Sequence, residues 1–274
     1  MTNRGRRIAT ATGAMLADPD SLGNPPQEIT ESLFDPEFWR ARGELAAVSG
    51  GRGSAWFIGS GANAWALRHC RRGGFMARFS RDHYWWAGED RVRSFVEWRL
   101  LQRMTAHGLP VPRPIAARYQ RSGLFYRCDL ITQRIVGAQP LSALLAAHAL
   151  PEAQWQAIGA AIARLHEAGV DHADLNAHNV LIDTAGTVSV IDFDRGRLRR
   201  QPGSWALGNL QRLRRSLDKI SRGLPADRWT TPAWEWLMAG YGTVRGGETI
   251  RGREAMRGRE TMSERPSASR RRNS

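Results

Sequence analysis

Two patterns of apolar and polar positions divide the chain. Between residues 55 and 135 apolar residues alternate with polar ones in short runs, bounded by glycine, serine and proline. From Pro140 onward they recur every three or four residues. The first pattern predicts strands and the second helices. Strands are expected at 55–58 and 63–70, the latter with Trp65 and Leu67 alternating against Ala64 and Arg68, and again at 115–120 and 125–135. A helix over 89–107 interrupts them, with Val92, Phe95, Val96, Leu100, Leu101 and Met104 on one broad face and Glu97 inside it. Gly108 ends that helix and the proline-rich stretch 110–114 extends the chain away from it. Further helices are expected at 141–148, 151–168 and 205–220, with a short apolar segment at 234–238. A shorter helix is expected within 32–44, after Asp35-Pro36. The fold class is α+β, with a strand-rich part before a helical one.

Both ends depart from these patterns. Residues 1–26 hold few large apolar side chains and finish on Gly23-Asn24-Pro25-Pro26, which reads as a disordered extension. Beyond Tyr241 the chain is of low complexity, with Arg251-Gly252-Arg253-Glu254 nearly repeated at Arg257-Gly258-Arg259-Glu260. The expected organisation is an extension at 1–26, a strand-rich lobe at 27–138, a helical lobe at 139–241 and a disordered arginine-rich tail at 242–274.

Charge adds a constraint on partners. The formal net charge is +14, and Lys219 is the single lysine. Such a balance points to an anionic partner: nucleic acid, an acidic membrane surface or a phosphorylated substrate. The two cysteines, Cys70 and Cys128, are too few for a disulfide framework. With no apolar leader near the start, a reducing cytoplasm is expected.

The chemistry concentrates in residues 172–179, His-Ala-Asp-Leu-Asn-Ala-His-Asn, and 191–194, Ile-Asp-Phe-Asp. Between them, Val180-Leu181-Ile182 and Val188–Ile191 flank the polar loop Asp183-Thr184-Ala185-Gly186, so the segment reads as loop, strand, tight turn and strand. That hairpin brings Asn179 beside Asp192, two oxygen donors suited to Mg2+ shared with phosphates. Asp174 can then accept a proton from a substrate hydroxyl. Upstream, Gly51 and Gly53 lie in a turn that can bring backbone N–H groups to phosphates.

This order and spacing resembles the catalytic loop and metal-binding aspartate of the protein-kinase-like fold, except that Asp194 stands where that pattern has glycine. No lysine precedes the loop, so Arg68, on the strand after the glycine turn, is expected to replace the nucleotide-binding lysine and to pair with Glu97. Arg78 is the alternative if the strand is misplaced. His172 is expected to support the loop by hydrogen bonding. The stretch from Asp194 to Trp205 is too short for the activation loop of a protein kinase.

Longer segments resemble the bacterial 3-deoxy-D-manno-octulosonic acid (Kdo) kinase family: 51–54, 67–74, 97–101, 108–114, 126–131 and 172–179, within a match from about residue 45 to 240. The resemblance implies a two-lobed kinase-like fold and ATP- and Mg2+-dependent phosphorylation of a Kdo hydroxyl on a lipid A precursor. It further implies work in lipopolysaccharide core synthesis, as a peripheral protein on the cytoplasmic face of the inner membrane, with no specific nucleic acid as partner. A small-molecule kinase of the aminoglycoside or choline type, and a basic nucleic-acid-binding module, stand as alternatives.

Overall fold

An antiparallel sheet of eight strands forms the first half of the molecule. The structure, a computed structural model, describes residues 5–22, 28–47, 55–70, 82–200 and 203–244. The strands are β1 (Arg6–Ala9), β2 (Gly13–Ala17), β3 (Leu45–Ala47), β4 (Ala55–Ile58), β5 (Trp65–His69), β6 (Tyr84–Trp85), β7 (Pro114–Ser122) and β8 (Phe125–Gln133). Seven run in the order β1-β2-β7-β8-β5-β4-β3, and β6 adds to the end of β8. Because side chains alternate across a strand, neighbours on β8 enter different cores. Leu130 packs with Phe95, Trp98 and Leu101 of helix α2 (Arg93–Ala106), whereas Ile131 packs on the other face with Leu33, Phe34 and Trp39. Trp39 comes from helix α1 (Pro36–Ala41), which Asp35 caps by accepting from the Glu37 N–H at 2.9 Å.

The second half is mainly helical. Short strands β9 (Gln139–Pro140), β11 (Val180–Ile182) and β12 (Val188–Val190) make one small sheet, and β10 (Val170–Asp171) pairs with β13 (Arg197–Leu198). Around them lie α3 (Leu141–Ala147), α4 (Glu152–Glu167), α5 (Ser204–Ser221) and α6 (231–244). Trp155, Ile158, Ile162 and Leu165 of α4 are buried at helical spacing. Glycines let α4 and α6 touch along their backbones: a Cβ on Gly159 would lie 1.9 Å from the Leu237 carbonyl oxygen, and one on Gly240 2.0 Å from that of Gln156. One buried cluster runs from Ala14 through α2 to Tyr241, so both halves share a core.

The expected disordered extension at 1–26 is overturned over residues 5–22. β1 and β2 form a hairpin that pairs with β7 from Gly13↔Gln120 to Ala17↔Ala116. Ala14, Met15, Leu16 and Ala17 are all buried, because β2 has apolar neighbours on both faces. A forked ion pair from Arg7 to Glu89, at 2.7 and 2.8 Å, ties the hairpin to the 3-10 turn Glu89–Arg91 ahead of α2. That turn also corrects the helix expected over 89–107, and the strand expected at 125–135 stops at Gln133. The glycine turn with Gly51 and Gly53, Arg78, and the tail from residue 245 lie outside the described residues.

Candidate active site

Helix α4 delivers the chain to the site. Gly169, at φ +75°, turns it where a Cβ would strike the Arg199 carbonyl oxygen at 2.2 Å, and β10 leads into His172. The His172 ring joins two loops: Nε2 lies 2.9 Å from the Ile191 carbonyl oxygen and Nδ1 3.3 Å from the Asp174 N–H. This demands the neutral tautomer with its proton on Nε2, which donates to Ile191 while Nδ1 accepts. Burial agrees, pushing the imidazole below its ordinary pKa against the opposing pull of the Ile191 carbonyl and Asp192.

The Asp174 backbone is pinned. Its carbonyl accepts from the side chains of Asn176 at 2.9 Å and Asn179 at 3.0 Å. Its carboxylate is exposed and makes no hydrogen bond among the described residues. Asn179 is buried, and its own carbonyl accepts from the Ile191 N–H at 2.9 Å. The β11–β12 hairpin closes through Asp183, whose Oδ1 accepts from the N–H groups of Ala185 and Thr187. With Val180 opposite Val190, Asn179 comes next to the segment that holds Asp192.

Asp192 has φ +67°, the only non-glycine residue with positive φ among the described residues. Such strain persists where the surroundings over-determine the backbone, and here they do. Arg68 on β5 reaches Glu97 with one arm of its guanidinium and Asp192 with the other. Glu97, only 2% exposed, spends its second oxygen on the Phe193 N–H at 3.1 Å. Burial pushes the Glu97 carboxyl up and the Arg68 charge draws it back. Burial likewise works against the Arg68 charge, but Glu97 and Asp192 outweigh it and hold its pKa above the ordinary arginine value. One turn earlier on α2, Arg93 grips Asp194 through a forked pair, Nε to Oδ1 at 2.7 Å. Residues 93 and 97, four apart on one helix face, thus hold 194 and 193, and Glu97 holds 192 through Arg68.

Of the expected site residues, Asp174, Asn179 and Asp192 sit on adjoining loops of one small sheet, and Arg68 and Glu97 meet Asp192 across the two halves. Sequence reasoning missed Arg93. The signal was Asp194 itself: a carboxylate in place of glycine needs a cationic partner. It also missed Asn209 of α5, whose amide, oriented to satisfy both its atoms, donates to the His172 carbonyl at 3.0 Å and accepts from the His172 N–H at 3.2 Å. His178 pairs with Ser142 of α3 at 2.8 Å. Among the described residues no group of three or more His, Cys, Asp or Glu could hold a metal alone. The donor set instead fits a hard cation completed by water and phosphate oxygens: Asp192 keeps Oδ2 free of hydrogen bonds among the described residues, and the amide nitrogen of Asn179 is already used, leaving its oxygen available.

The sequence model of the lipopolysaccharide kinase (Kdo/WaaP) family matches residues 36–241. Proteins named 3-deoxy-D-manno-octulosonic acid kinase are similar over most of the chain. That of Stenotrophomonas maltophilia (strain K279a) is 47% identical over 78% of this chain and 84% of its own. That of Vibrio vulnificus (strain YJ016) is 42% identical over 77% and 88%, and that of Xylella fastidiosa (strain 9a5c) 44% identical over 76% and 81%. With three-quarters of its length matched and the catalytic loop and both arms of the Arg68 bridge inside the match, the chain belongs to the lipopolysaccharide kinase (Kdo/WaaP) family.

Proposed function

We propose that this protein transfers a phosphoryl group from ATP to a hydroxyl of a Kdo sugar carried by a lipid A precursor, in lipopolysaccharide core synthesis. The observation that carries the reading is the free, exposed carboxylate of Asp174 on a backbone pinned beside Asn179 and Asp192. In phosphoryl transfer the protein contributes mainly positioning and charge neutralisation. Asp174 orients the acceptor hydroxyl and takes its proton. Asn179 and Asp192 would hold Mg2+, which when bound neutralises charge on the phosphates. Arg68, kept charged by Glu97, presents a guanidinium to the nucleotide phosphates in place of the usual lysine.

The acceptor sits in a bilayer, and among the described residues no helix is long and apolar enough to cross one. We propose, from its membrane-borne acceptor and its positive charge, that it works as a peripheral enzyme at the cytoplasmic face of the inner membrane, drawn to anionic lipid. ATP consumption measured with a Kdo-bearing lipid A precursor, against a panel of aminoglycosides and small alcohols, tests the reading. Turnover confined to the Kdo acceptor is expected; turnover confined to an aminoglycoside or choline would replace it with a small-molecule kinase.

A further inference from the structure

Seven large hydrophobic side chains are exposed among the described residues, and three of them, Trp85, Leu124 and Phe125, gather at one corner of the sheet. β6 and the start of β8 are paired there, Tyr84 to Tyr126 and Trp85 to Phe125. The tyrosines turn inward and are buried, while Trp85 is 58% and Phe125 44% exposed. The two outward rings meet edge to face at 5.6 Å, and the Trp86 N–H bonds the Leu124 carbonyl at 2.9 Å.

Phe125 also walls a cavity of about 340 Å³ that His83, Arg121, Tyr126 and Arg127 help to line. The Arg121 guanidinium lies 4.8 Å over the Trp86 ring, and Arg127 pairs with Asp82 at 2.9 Å. Two guanidinium groups against one carboxylate leave this cleft positive. An apolar wedge and a basic cleft that share a wall reproduce the layering of an anionic bilayer, with phosphates outside and acyl chains beneath. Tryptophan and phenylalanine favour that boundary. Three side chains fall far short of the roughly 800 Å² per partner of a stable protein interface, whereas a few interfacial aromatics beside basic groups suffice for reversible membrane contact.

The corner is also wired to the reaction centre. Arg93 lies 4.7 Å over the ring of Tyr84, the neighbour of Trp85, and the same guanidinium grips Asp194, two residues from Asp192. We infer that the Trp85–Leu124–Phe125 corner, with Arg121 and Arg127, is the surface by which the enzyme docks on an anionic lipid bilayer, bringing the site to its membrane-borne acceptor; this rests on the function proposed above.

The full chain can be tested by co-sedimentation with vesicles of phosphatidylglycerol and phosphatidylcholine, and of phosphatidylcholine alone. Trp85→Ser with Phe125→Ser is expected to weaken binding to the anionic vesicles by about tenfold or more. Arg121→Gln with Arg127→Gln is expected to weaken it less, and to abolish the preference for anionic over neutral vesicles. Trp85→Phe with Phe125→Leu keeps the wedge apolar and should bind as the parent does, which separates lost docking from lost folding. Unchanged vesicle binding in the serine variant overturns the inference, as does a loss of self-association with vesicle binding intact, since the patch would then serve a second copy. Turnover on a soluble, deacylated Kdo acceptor is the independent arm: its absence in the parent protein, with vesicle binding retained, would sink the kinase reading and leave the docking surface standing.

Discussion

Asp174 and Asp192 lie on loops flanking the same small sheet, yet they are held in opposite ways. At Asp174 the backbone is fixed by three hydrogen bonds and the side chain is left to solvent. At Asp192 the backbone is forced to positive φ and the side chain is anchored by Arg68. The difference suits the roles proposed for the two carboxylates. A partner held against a proton acceptor would compete with the substrate hydroxyl. A metal ligand must present its oxygen at a fixed point, so strain is tolerated where Arg68, Glu97 and Arg93 lock the loop from both sides.

The contrast breaks most sharply at the free carboxylate. Asp174→Asn preserves shape and cannot take the proton, so kcat should fall by about 10²–10⁴-fold with the thermal midpoint unchanged. Steady-state turnover beside a melting curve decides it, and wild-type turnover in a folded variant would remove Asp174 from the chemistry. At the anchored carboxylate, stability and activity should fall together. Arg68→Ala strands Glu97 as a buried charge, a loss of about 3–5 kcal/mol in chemical denaturation. Arg68→Lys should recover part of the stability and less of the nucleotide affinity, because one ammonium cannot span both carboxylates. The pH dependence has a definite sign. Glu97 is pushed up by burial, so its contribution is fully present below the ordinary carboxylate value and lost as pH rises through the raised one. Without Arg68 that value rises further, and the deficit of Arg68→Ala should narrow on acidification.

Coupling at the outer lock should be smaller. Arg93→Ala and Asp194→Ala should each lower kcat, and the double variant should do little more than either, a coupling of about 0.5–3 kcal/mol in a double-mutant cycle. Additive losses would mean that the pair does not act through Asp192. The least effect is expected at His172. Its pKa is depressed, so the stability it contributes is present above the ordinary imidazole value and lost as pH falls through the lowered one. His172→Asn should flatten that acid limb of the denaturation profile.

Much of this was legible before any coordinates, because the signals are local. The loop–strand–turn–strand pattern from His172 to Asp192 brings Asn179 to Asp192 through a single hairpin. The absence of lysine pointed to Arg68, with Arg78 as the alternative, and helical period alone put Glu97 within a buried face. What failed depends on distant partners. β2 is built from Gly13, Ala14, Met15, Leu16 and Ala17, with only two large side chains, which look too sparse for a core until β7 is laid beside them. α6 was read only as a short apolar segment over 234–238, since Gly240 looks like a helix breaker until the backbone of α4 is seen against it. Arg93 was hidden because its partner is 101 residues away.

The pairing of β2 with β7 bears on how this chain should be cut for expression. The family match begins at residue 36, and a chain started there would lack both strands of the hairpin. β7 would then present as open edge the five residues that pair with β2, Ala116–Gln120, with Ala116 and Ala117 newly wetted. An unguarded edge of that length is a template for pairing with another molecule. The truncated enzyme is expected to aggregate in proportion to its concentration while its catalytic residues remain complete, and light scattering of the two lengths side by side would reveal it.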